Sequence, residues 1–484
     1  MTIRALKLVG VVAVGLFLTG CGGGGGGGSA APAAGSSVVS SGVITGFGSV
    51  HVNGIHFETT GASFTVDDAP GGQDELAVGD VVKIRGRVND DGRTGTATEV
   101  IGDDAVEGPV TALDLLAGTL VVAGQSVITD ADTSFDNNIP GSSLAGLVVG
   151  DLVEVAGFFD AAGAVRATRI EKKTVGSKIE VHGLVADLDT VNQRFRLNAL
   201  TVSYAAAVLD GFPGNQISDG DFVEAKGTTF VAGVLQATKV ELEGPDAADD
   251  GEDGEAKREI EGLITRFFSA TDFDVAGRPV TTTPGTVYEN GTAADLAVNL
   301  KVEVEGPVDA AGILVARKVS IRRSGNVRLT SLVDSINTGN GTLVVLGITI
   351  KVDELTRFED QSDADVESFS LADLQVGDYV EVRGAESPAG SGQLLARRLE
   401  REDADSRSLV QGPVTNLAEP DLEVFGITVQ TGVDTEFSDG AENDVAGGTF
   451  FSLVAVGDLV KARGSLIADQ VIQADEVELE GEDD

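Results

Sequence analysis

Apolar residues alternate with polar ones over short stretches of this chain, and the stretches return in the same order six times. The clearest stretch begins at Val78-Gly79-Asp80 and runs through Val82 and Ile84 to Gly86. It comes back at Val149-Gly150-Asp151, Asp219-Gly220-Asp221, Val376-Gly377-Asp378 and Val456-Gly457-Asp458, and in altered form at Val298-Asn299-Leu300. The glycines that close it are Gly86, Gly157, Gly227, Gly306, Gly384 and Gly464, spaced 70 to 80 residues apart. In the fifth copy Val380 and Val382 point one way and Glu381 and Arg383 the other, the period of a β-strand. Upstream of it each copy carries a hairpin signal. The first is Val50-His51-Val52-Asn53-Gly54-Ile55-His56-Phe57, where Asn-Gly supplies the two left-handed turn residues that a tight hairpin needs. Ala123-Gly124, Ala276-Gly277, Leu346-Gly347 and Phe425-Gly426 hold the same place, and the third copy has Asn198-Ala199. An aromatic often follows, as at Phe64, Phe135, Tyr288, Phe358 and Phe437. A short strand such as Glu107-Gly108-Pro109-Val110 precedes the hairpin, and a last strand starts at an alanine, as at Ala167, Ala237 and Ala396.

Five strands in so short a repeat leave open edges unless they close into a barrel. The expectation is an all-β chain: a tandem array of six small five-stranded barrels, OB-like or SH3-like. Residues 138–148, 363–375 and 443–455 have room for the short helix of an OB-fold. The segments, with their closing alanine strand, resemble a bacterial domain-of-unknown-function family, the one numbered 5666. The resemblance covers nearly all of residues 42–484 and is weakest in the fourth copy. It implies secreted proteins and lipoproteins and brings no catalytic residues with it.

The first 41 residues have a different character. Arg4 and Lys7 precede the apolar run Leu8–Leu18, which is too short to span a bilayer and suits a signal peptide. Leu18-Thr19-Gly20-Cys21 resembles the lipobox, in which the cysteine becomes diacylated. Cys21 is the one cysteine of the chain, so no intramolecular disulfide can form. Gly22–Gly28 and the Ser/Ala/Gly residues after it read as a flexible tether. The organisation expected is signal peptide 1–20, lipidated Cys21 and tether to 41, repeats at 42–104, 105–173 and 179–244, an acidic linker at 245–257, and repeats at 258–324, 325–403 and 408–484. The linker would divide the repeats into two groups of three. The address is the cell envelope, lipid-anchored, facing periplasm or cell surface. Gly22 in place of Asp favours the outer membrane over the inner.

The formal net charge of −43 and the absence of Trp argue against nucleic acid as a partner. The partners expected are the membrane, through the lipid on Cys21, and an envelope protein or polysaccharide. No Ser-His-Asp spacing, phosphate loop or HExxH appears, so no catalytic residue is assigned and the chain is expected not to be an enzyme. An enzyme acting on surface polymer through paired carboxylates is the minor alternative. No cofactor is expected, with Ca²⁺ the alternative. Weak metal candidates are His51 and His56, which flank one hairpin turn, and the linker carboxylates Asp249, Asp250, Glu252 and Asp253. His182 reads as a lone solvated residue. The recurrent Gly79-Asp80, Gly150-Asp151, Gly220-Asp221, Gly377-Asp378 and Gly457-Asp458 are read as turn chemistry in preference to a shared binding face.

Overall fold

The computed structural model describes residues 35–130, 132–173, 178–243, 257–322, 325–364, 366, 368–388, 390–440 and 443–480. Cys21, its signal peptide and the linker carboxylates Asp249, Asp250, Glu252 and Asp253 lie outside these residues. The described chain is almost wholly β, with one short helix, Gly447–Leu453, and a few 3₁₀ turns.

The second repeat shows the plan. Its five strands are Val106–Asp114, Thr119–Val122, Gln125–Ile128, Leu152–Phe159 and Val165–Lys173. The first three run antiparallel in sequence, and the third lies parallel to the fifth. The fifth pairs with the fourth and the fourth returns to the first, both antiparallel. The closed order 1-2-3-5-4-1 is that of an OB barrel and settles the choice between OB-like and SH3-like order. The other five repeats close in the same way. After a break, the chain that follows the third strand adds a short segment beside the second half of the fifth, and the recurrent aromatics sit there. Phe64 stands opposite Val100, Phe135 opposite Ile170, and Phe437 opposite Val477.

Local chemistry explains the closure. The hairpin turns take positive φ at both central residues, 54° at Asn53 and 77° at Gly54. Leu346 and Phe425 hold the first turn position at φ 52° and 47°. Both are nearly fully buried, so apolar burial offsets the left-handed strain. The closing glycines answer to a steric demand. A Cβ at Gly86, Gly157, Gly227, Gly306, Gly384 or Gly464 would lie closer than 3.0 Å to a backbone carbonyl oxygen of the fifth strand. The register shifts by one residue at this point, as between Arg383 and Gly384, a bulge that lets the two strands coil tightly enough to close the barrel.

The barrels associate through their first strands, whose N-terminal halves have one edge left unpaired by their own barrel. The second and third repeats join antiparallel at Val106–Val181, and the fifth and sixth at Leu329–Val410. The first repeat joins the fourth in parallel, Val38 to Lys257 through Ser41 to Ile260. Three 12-stranded sheets result. Two expectations are corrected here. The repeats are not grouped three and three about the acidic linker, because edge pairing and not chain proximity sets the grouping. The folded part begins at Ser36 and not at residue 42: Ser36–Ser41, assigned to the tether, pair with the fourth strand of their own barrel.

Candidate functional site

The Gly-Asp turns come first because they recur. Gly79, Gly150, Gly220, Gly377 and Gly457 lie at φ between 91° and 103°. Each donates its N–H to a carbonyl of the first strand, at Ile44, Val110, Val185, Val333 and Val414. The carboxylate of the following Asp accepts the N–H three residues earlier, at Ala77 for Asp80 (2.7 Å), Val148 for Asp151 (3.0 Å), Ser218 for Asp221 (2.7 Å), Gln375 for Asp378 (2.9 Å) and Ala455 for Asp458 (2.8 Å). In the fourth copy Asn299 takes the left-handed position at φ 67° and Leu300 offers no carboxylate. Each carboxylate is thus bound to its own turn, and Asp80 also reaches Arg169 of the second repeat at 3.4 Å. Asp458→Ala is expected to lower stability by about 1 kcal/mol, the usual value of such a cap, in urea denaturation. A loss below a few tenths would show the turn to be held by its glycine alone.

His51 and His56 face each other directly across the first hairpin, with ring centroids 3.7 Å apart. Burial, with the second ring beside it, pushes His51 down to about 4. The pair gains no third donor: among the described residues, no group of three or more His, Cys, Asp or Glu with donor atoms within 4.8 Å of one another includes either ring.

His182 corrects the expectation of a solvated residue. It is buried, 5% exposed, because its strand lies inside the sheet that joins the second and third repeats. Its Nδ1 lies 3.4 Å from the carbonyl of Ala105. Its Nε2 lies 3.6 Å from both the Asp103 and the Glu224 carboxylates. Glu180 completes a set of four whose donor atoms come within 4.8 Å. The cation of this cluster is built in. Lys226 Nζ stands 2.5 Å from Glu224, 2.9 Å from Glu180 and 2.9 Å from Asp68 of the first repeat. Lys178 Nζ adds a contact of 2.5 Å to the other oxygen of Glu180. Burial and the adjoining Glu180 carboxylate push Glu224 up to about 10. Burial also pushes Glu180 up, but hydrogen bonding from Glu224, Lys178 and Lys226 overrides it and holds Glu180 at about 2. The two carboxyls therefore share one proton at neutral pH.

Sequence reasoning missed this arrangement and its counterparts. Glu154, Glu303 and Glu381 hold the same fourth-strand position as Glu224. Glu303 and Glu381 are 1% and 3% exposed, Glu303 bonded to Arg322 and Glu381 to Arg328 and Arg383. Alternation assigns them to the outside of the barrel, yet they are buried there, against arginines of their own repeat. An acidic residue at one strand position in four of six copies is the signal that pointed to it.

A protein-family profile described as "Domain of unknown function (DUF5666)" matches residues 38–101, 107–171, 182–241, 261–320, 332–400 and 411–478. No curated protein matches the chain. The solved structure of "drosophila Unr CSD456" is similar at 16% identity, with 46% of this chain and 98% of that one covered. Its TM-score of 0.12 leaves that likeness without weight in the argument.

Proposed function

The chain belongs to the DUF5666 family, whose repeat unit accounts for nearly all of its described residues, and on that premise we propose that it is a non-enzymatic scaffold of the cell envelope, tethered to a membrane through lipid on Cys21 and presenting its barrels to an envelope protein or polysaccharide. The observation that carries the reading is the use to which the buried ionisable groups are put. Glu180, Glu224, Lys226, Glu303 and Glu381 are engaged with one another or with Lys and Arg partners where barrels meet. Their ion pairs lie within their own repeats, Lys226 also reaching Asp68 of the first, and none stands in a cleft with a free nucleophile beside it. Repetition of one small module also raises avidity for a repeated ligand. The reading includes no cofactor and no nucleic-acid partner, and it favours the outer membrane.

Fractionated cells and isolated envelope polymer test it. The full chain should sediment with membranes and incorporate labelled palmitate, and Cys21→Ser should abolish the label and release the chain. Incubation with envelope polysaccharide should leave the size distribution of the polymer unchanged. New polymer ends that accumulate with time would end the non-enzymatic reading. Retention of the label by the Cys21 variant would end the lipid tether.

A further inference from the structure

Where the first, second, fourth and fifth repeats meet, they line a partly open cavity of about 50 Å³. A single water takes about 10–15 Å³ on this scale, so the space suits one small group of about five heavy atoms. In a chain with a net charge of −43 its lining is cationic: Lys301, Arg322, Arg357 and Arg397 against Asp132 and Glu261. Part of this charge is already matched. Lys301 Nζ lies 3.0 Å from Glu261, whose other oxygen accepts the Val43 N–H at 2.9 Å. Arg322 pairs with Glu303.

Three groups are not matched in this way. Arg357 donates to the backbone carbonyls of Thr168 and Asp132 and has no carboxylate in contact among the described residues. Arg397 makes no hydrogen bond or ion pair among the described residues, and its Nε is buried. Asp132 Oδ1 is a buried acceptor without a donor. Burial and the neighbouring Arg322 guanidinium push Arg397 below the ordinary arginine value, with Asp353, Asp132 and Glu261 opposing. A buried donor and a buried acceptor left open on one cavity each carry a desolvation penalty of about 1–3 kcal/mol. The remedy must accept from a guanidinium and donate to a carboxylate.

We propose that this cavity binds one protonated tetrahedral oxyanion, a hydrogen-phosphate group, with Arg397 and Arg357 donating to its oxygens and Asp132 Oδ1 accepting from its hydroxyl. The site is separate from the scaffold role above and stands or falls without it. Sulfate has the same shape but carries no proton at neutral pH, so it would set an oxygen against Asp132 and leave that acceptor unpaired. A site that requires a hydrogen bond rejects the analogue that lacks it more strongly than size alone allows. The long-range repulsion from the acidic surface is screened beyond about 8 Å at physiological ionic strength, so it does not forbid local capture.

The test uses the purified full chain at pH 7, with sodium phosphate and sodium sulfate at equal ionic strength, read by calorimetry and by phosphorus-31 line width. Phosphate should bind at least about tenfold more tightly than sulfate, a difference of about 1.4 kcal/mol. Arg397→Met should lose phosphate binding, and Asp132→Asn should move the preference toward sulfate. Arg397→Lys, which keeps a charge but loses the guanidinium fork, serves if the methionine variant does not fold, and should weaken phosphate. Equal affinity for the two anions, no binding of either, or phosphate binding unchanged by both Arg397 variants would overturn the proposal. Glycerol 3-phosphate that competes for the site marks a phosphate group carried on a larger molecule. Failure to compete marks free phosphate.

Discussion

Lys226→Met should lower stability by about 3 kcal/mol or more in urea denaturation, the largest effect expected of any surface-accessible lysine here. The ammonium stands among Glu180, Glu224 and Asp68, and its own side chain is only 14% exposed. Removal of one partner of a buried ion pair leaves the other charge uncompensated, and that loss exceeds the worth of the pair itself. The two glutamates then part company. Glu180→Gln removes the ionised member and should be destabilising. Glu224→Gln is isosteric with the protonated member and should stabilise at pH 8 by on the order of 1 kcal/mol. The sign follows from proton binding. The folded state holds the Glu224 proton up to about pH 10, while the unfolded chain releases it near the ordinary value of 4.5. The folded state therefore binds more protons between those limits, and the contribution of this group to stability falls as pH rises through them. Glu224→Gln should flatten that part of the pH profile. A Lys226→Met variant within about 0.5 kcal/mol of the parent, or an unchanged pH profile in Glu224→Gln, would show the cluster to be solvated after all.

Gly384→Ala should destabilise the fifth repeat by about 3 kcal/mol, as overpacking against backbone does. The added methyl would overlap the carbonyl of Leu395 and the Cα of Ala396, and neither can swing away as a side chain can. Gly377→Ala, in the same repeat, is the control. A Cβ there meets nothing within 4 Å, and its penalty is the left-handed φ of 93° alone, about 1–2 kcal/mol. Parallel melts of the two variants decide the matter. If both shift the transition equally, the close backbone approach at the recurrent closing position would cost no more than left-handed strain does, and the steric account of its glycine would fail.

The barrel itself was legible because each of its devices is local. Asn53-Gly54 specifies a turn within four residues, and the Gly-Asp pairs specify another. The recurrence of the Gly-Asp turn and its closing glycine gave the number of copies. What lay beyond reading was the fate of the outer faces. Glu224, Glu303 and Glu381 occupy strand positions that alternation assigns to solvent, and the period of the strand alone does not tell that they are buried. His182 was misread for the same reason, since its burial is created by a partner more than seventy residues away. The grouping of repeats escaped because the acidic linker is the most visible break in the sequence, whereas the bonds that group them are backbone bonds with no sequence signature. The arginines of the cavity come from two repeats, Arg322 from the fourth and Arg357 and Arg397 from the fifth, and nothing within either repeat sets them on one pocket.

The pairing of the first repeat with the fourth also imposes a schedule. The second and third repeats can dock as soon as both have left the ribosome, and so can the fifth and sixth. The first repeat is made before all of them, yet the strand that caps its edge begins at Lys257. At common elongation rates of about 5–20 residues per second, the interval is on the order of ten to forty seconds. Throughout it, Val38–Ser41 present an uncapped row of backbone donors and acceptors to whatever strand is nearby. Among the described residues only this pair of barrels is joined in parallel, and by a loop closure of more than two hundred residues, so its closure costs about 1 kcal/mol more than that of either other pair. The first barrel, although made earliest, therefore has its edge covered only after the second and third have been made.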